Sequence, residues 1–158
     1  MATNTPSLGN KNPSRSTQMG TSVPSTAATS GPRQTLEQQR AQDAWERTTE
    51  ALHRAVDQKE YEKYEKAAKA LPALIMNSGL MQVLAFCHEK GKAQADVAAH
   101  LRAWLARQYP RHFQSAEFST FMQALMQAAP ADYQAINAEA FAWLKWLRQM
   151  AAARNKGV

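Results

Sequence analysis

The chain is poor in the residues that give small proteins covalent or metal-based stability. Its 158 residues include one cysteine, Cys87, which rules out an intramolecular disulfide. The four histidines, His53, His88, His100 and His112, show no paired metal-ligand spacing and no His-Glu-x-x-His pattern, so no metal and no cofactor is expected. Cys87 and His88 are neighbours and point about 100° apart on a helix, so they do not make a nucleophile and base. No glycine-rich phosphate loop occurs. No apolar run approaches the roughly 20 residues that cross a bilayer, and the N-terminal segment has no apolar signal core. These absences argue against a hydrolase, a metalloenzyme or a membrane protein. The expectation is a non-enzymatic chain in a reducing cytoplasm.

Acidic and aromatic residues are also absent from Met1 to Arg33, where 22 of 33 residues are Ser, Thr, Pro, Gly or Asn. Such a segment has too little to bury to offset its ordering entropy, so residues 1–33 are expected to be a disordered tail and 34–158 a single domain. The net charge of +6 is unevenly spread. The tail holds three basic residues. Gln34–Glu89 has seven basic against nine acidic residues, hence −2, and Lys90–Val158 nine against four, hence +5. The basic C-terminal half could hold a polyanion, and an ordinary solvated surface would carry the same sum.

No segment alternates with period two, whereas period 3.6 recurs from Ala41 onward, so the fold class is all-α, a bundle of about six helices. The first helix places Ala41, Ala44, Trp45, Thr48, Leu52, Ala55 and Val56 on one stripe. The second runs from Lys59 to Ala70, with Tyr61, Tyr64, Ala68 and Leu71 inward, until Pro72 interrupts it. A third extends from Leu80 to Lys90, between Gly79 and Gly91. The fourth, Gln94–Tyr109, turns Val97, Leu101, Trp104 and Leu105 inward. The fifth begins near Ser115 and carries Phe118, Phe121, Met122, Leu125 and Met126. The last is expected from about Asp132, as N-cap, to Arg154, with Ile136, Ala140, Trp143, Leu144, Leu147 and Ala151 inside. Met76, Met81, Met122, Met126 and Met150 fall at core spacing.

Charged positions divide into those with acidic neighbours and those without. Arg40, Arg47 and Arg54 recur every seven residues opposite the first stripe, and Asp43→Arg47 and Glu50→Arg54 have the spacing of intrahelical pairs. Lys66 and Lys69 likewise follow Glu62 and Glu65 by four. On the last helix Phe141, Lys145, Arg148 and Ala152 share the far side with no acid. Arg102, Arg107 and Arg111 are similarly short of acids. Lys145, Arg148, Arg102, Arg107, Arg111, Lys90 and Lys92 are therefore the candidates for phosphate contact, with Phe141, Trp146, Arg47 and Arg54 as candidates for a subunit interface.

Three stretches carry a resemblance. Leu71-Pro72-Ala73-Leu74-Ile75, Asn77-Ser78-Gly79-Leu80 and Val83-Leu84-Ala85-Phe86 together resemble the signature of the Cmr small subunit, the fifth protein of the type III-B CRISPR module. Gln39-Arg40-Ala41 with Ala44 resembles that family's opening helix, and Glu139 to Arg148 its closing one. The resemblance spans about Gln38 to Ala151. It implies a non-catalytic helical subunit that stacks in a few copies along the effector filament, beside the backbone and large subunits, and helps to form the groove for guide RNA and target RNA. Cutting and nucleotide cyclisation would then belong to other subunits. The competing reading is a free-standing helical adaptor that binds acidic protein partners and never meets RNA.

Overall fold

The computed structural model describes residues 3–4, 9 and 32–156, and the tail expected over 1–33 lies almost wholly outside them. Six helices follow one another: α1 Leu36–Arg54, α2 Gln58–Ser78, α3 Leu80–Lys90, α4 Lys92–Gln108, α5 Phe118–Gln127 and α6 Pro130–Lys156. Among the described residues there is no strand.

Local chemistry accounts for most of the helix ends. Thr35 and Gln38 close a reciprocal capping box on α1, and the Asp57 carboxylate accepts the Glu60 amide at the start of α2. Glu117 accepts from the amides of Ser119 and Thr120, so α5 begins at Phe118 and not at Ser115. Pro130 opens α6, two residues ahead of the Asp132 expected as its cap. A first-turn proline sacrifices no hydrogen bond, because its N–H would have had no intrahelical partner.

Pro72 does not interrupt α2. The helix runs through it to Ser78. Leu71 and Ile75 flank it, both at most 2% exposed, and their packing holds a helix whose ladder lacks the donor at Pro72. The chain turns instead at Gly79, with φ 83° and ψ 157°, and again at Gly91, with φ 68° and ψ −166°. Both lie in a region that essentially only glycine occupies. Lys92 follows with φ 51°, the one positive-φ residue other than glycine among the described residues.

The core is built by α6 crossing α1, α2 and α4, while α4 packs also on α2, α3 and α5. Its largest enclosed side chains are Trp104, Trp143, Tyr61 and Phe121. The α6 stripe is entirely buried, as its spacing implies. The α1 stripe is not. Asp43, Ala44 and Thr48 are buried, while Trp45 is 44% and Val56 89% exposed. Two residues turn a helix by about 200°, so bringing Asp43 inward carries Trp45 outward. Trp45 lies against the Arg154 guanidinium at 3.6 Å. Two methionines assigned to the core are also outside it: Met76 and Met126 are 76% and 63% exposed.

Candidate nucleic-acid interface

Lys145 and Arg148 are held on α6 by the stripe beneath them. Ala140, Trp143, Leu144, Leu147 and Ala151 are all fully enclosed, so the residues between them face outward. Both cations are exposed, and among the described residues neither meets a carboxylate within ion-pair distance. Phe141 and Trp146 on the same helix are only half exposed and pack against the core.

The other cations are distributed quite differently. Arg102 is 8% exposed. Its Nε donates to the Ala116 carbonyl at 2.9 Å, its Cζ lies 5.6 Å from the Phe118 ring, and burial lowers its pKa. It ties α4 to the segment before α5 and offers no charge to a strand outside. Arg107 is 65% exposed, 3.9 Å from the Asp43 carboxylate. Arg111 is exposed without a carboxylate partner among the described residues. His112 beside it is 3.2 Å from Asp132 at the start of α6.

Lys90 lies 5.7 Å from the Phe86 ring centroid, and Lys92 is exposed at the start of α4. From Lys92 to Arg107 the helix rises about 22 Å. The seven candidates therefore do not form one patch. Lys90 and Lys92 sit at one end of α4, and Arg107 and Arg111 at the other.

On α1 the arginines are engaged. Arg47 is 3.8 Å from Asp43 and 3.3 Å from Glu50, and Arg54 is 3.9 Å from Glu50. Arg40, expected opposite the core, instead forks onto Glu139 of α6, its Nε donating to Oε1 at 3.2 Å and its Nη2 to Oε2 at 2.6 Å. Glu139 is 6% exposed. This bidentate pair reaches across 99 positions, beyond any local spacing rule. On α2, Lys69 pairs with Glu65, but Lys66 does not meet Glu62. Lys59, Lys63 and Lys66 have no ion pair among the described residues, which the four-residue spacing did not foretell.

Of the groups that could do chemistry, Cys87 and His100 are buried, while His53 and His88 are exposed. Cys87 is fully buried, and desolvation pushes its thiol up to about 11. The His88 ring stacks on Phe118 with centroids 3.8 Å apart. His100 is bonded through Nδ1 to Tyr64 Oη at 2.8 Å, and burial lowers its pKa to about 4. No group of three or more potential metal ligands occurs among the described residues, and no described helix is long and apolar enough to cross a membrane.

The family model described as "CRISPR-associated protein (Cas_Cmr5)" matches residues 36–154, from the first residue of α1 nearly to the end of α6. The chain belongs to the Cmr5 family. The crystal structure of a CRISPR-associated Cmr5 family protein from Thermus thermophilus is similar, with a TM-score of 0.61 and 27% identity. The similarity covers 76% of this chain and 97% of that one. No curated protein matches. Membership makes this Cmr5-family chain a small subunit of the type III-B Cmr complex, working alongside other effector subunits. The match runs through Gly79 and Gly91, so the two glycines at the corners belong to the part matched by the family model.

Proposed function

We propose that this chain is a non-catalytic, RNA-proximal subunit of the cytoplasmic effector. It packs along the filament beside further copies of itself and the backbone and large subunits, and contacts the guide and target RNA backbone through exposed, unneutralised cations. The observation that carries the reading is the pair Lys145 and Arg148 on α6, rigidly mounted over a buried stripe and free of acidic neighbours among the described residues. Arg111, Lys90 and Lys92 extend it at the two ends of α4. Contacts of this kind hold phosphates whatever the sequence, leaving base reading to the guide. Phe141 and Trp146, with Arg47 and Arg54, are proposed for subunit contact. Arg102 is left out because its guanidinium is spent inside.

The test is reconstitution of the complex with Lys145→Glu/Arg148→Glu. Helix content should be unchanged and RNA retention weakened, with the log–log salt slope smaller by about 1.5 for two phosphate contacts to a single strand. Unchanged retention and slope would remove these residues from the interface.

A further inference from the structure

A cavity of about 570 Å³ lies where the end of α1, the start of α2 and the start of α4 meet, well within the size range of small-ligand sites. Ala51, Ala55 and Ala93 give it an apolar lining of small side chains. His100 and Tyr64, 5% and 4% exposed, lie deepest and are bonded to each other. Lys59, Lys63 and Lys92 stand around it, and none has a carboxylate partner among the described residues.

Two of the three acids lining it are already committed to backbone. The Asp57 side chain accepts from the Glu60 amide at 2.8 Å, and Glu60 accepts from the Val56 amide at 2.6 Å. Asp96 alone has no hydrogen-bond or ion-pair partner among the described residues, and burial raises its pKa. The cavity near Leu36 offers a contrast: Arg40 and Glu139 there satisfy each other, and Tyr109 donates to the Ala135 carbonyl.

We propose that the α1–α2–α4 cavity binds one nucleotide, its phosphate among Lys59, Lys63 and Lys92, its base over the alanine lining, and an amino group of that base on Asp96. The chemistry selects this class. Three cations without partners call for a multiply charged anion, and small apolar side chains accept a flat ring. A lone carboxylate calls for N–H donors, which guanine, adenine and cytosine present on their base-pairing edges and uracil presents only as a single imide. The ligand is a free mononucleotide or an unpaired nucleotide of an RNA strand, since both offer the same groups. The site shares Lys92 with the interface proposed above but needs neither α6 nor the assembled complex, so either can fail alone.

The full chain, isotope-labelled, would be titrated with GMP, UMP, inorganic phosphate, a short single-stranded oligoribonucleotide and an oligoglutamate peptide, with backbone amide shifts followed by NMR. GMP, the oligonucleotide or both should shift Lys92, Ala93, Asp96 and Tyr64, with UMP at least several-fold weaker than GMP. Lys63→Glu should weaken binding about tenfold, and Asp96→Asn should narrow the gap between GMP and UMP. Response to the oligonucleotide alone would assign the site to a strand, and response to GMP at similar concentration to a free nucleotide. Equal shifts with inorganic phosphate, no response to any nucleotide, or preferential response to an oligoglutamate peptide would overturn the proposal.

Discussion

The indole N–H of Trp143 donates to the Asp43 carboxylate at 2.8 Å across 100 positions of sequence, and both residues are buried. Desolvation raises the pKa of Asp43, opposed by Arg47 and by the Trp143 hydrogen bond. That bond sets the rotation of α1 against α6, because a carboxylate enters an interior only where a donor meets it.

Trp143→Phe should cost about 1–3 kcal/mol beyond the lost packing, since the buried carboxylate loses its donor. Asp43→Asn should cost less, as the amide oxygen still accepts. Urea denaturation of the three proteins measures both. Equal losses would mean that the charge of Asp43 matters more than its acceptor.

Arg40→Ala should destabilise by about 2–3 kcal/mol, somewhat under the usual cost of breaking a buried pair because Arg40 retains 21% exposure. The double variant Arg40→Ala/Glu139→Gln should recover part of that loss, because no unpaired charge remains inside. A double-mutant cycle reads the coupling directly.

Gly79→Ala and Gly91→Ala should each cost about 1–3 kcal/mol from backbone strain alone. An added Cβ at Gly79 meets nothing nearer than the Tyr133 hydroxyl at 3.9 Å, and at Gly91 nothing within 4 Å. Thermal unfolding separates the causes. Replacement by D-alanine, which is at ease at positive φ, should restore stability, whereas a steric origin would leave the loss in place.

His100 makes stability depend on pH. Its pKa falls from 6.5 to about 4 on folding because burial disfavours the imidazolium. Between those values the unfolded chain binds the extra proton. The stabilisation is therefore complete above about pH 6.5 and is lost as pH falls toward 4, up to about 3 kcal/mol in all. Melting temperatures should drop between pH 6.5 and 5 in the native chain and much less in His100→Gln. Parallel profiles would place the dependence elsewhere.

The α6 stripe could be read directly from the sequence because every residue in it is apolar and its period is local. The α1 face could not, since spacing alone favours Trp45 over Asp43 and only Trp143 reverses that order. Pro72 misled for a related reason: its local cost is real, but Leu71 and Ile75 offset it through packing with other helices. Lys92 was a candidate on charge alone, but Lys59 and Lys63 were missed as its neighbours, because only the packing of α1, α2 and α4 brings the three around one cavity.

Periodicity by itself determined an all-helical class with corners at Gly79 and Gly91, and composition a basic C-terminal half, since helix propensity, capping and apolar period act within a few residues of chain, while the family was legible only through the resemblance of three particular stretches. Tertiary structure alone decided which charges are free. Arg40 and Arg102 were consumed inside, while Lys145, Arg148 and the lysines around the α1–α2–α4 cavity were left to solvent. An ion pair or a desolvated guanidinium depends on groups brought together from distant positions, and only the packed helices specify those encounters.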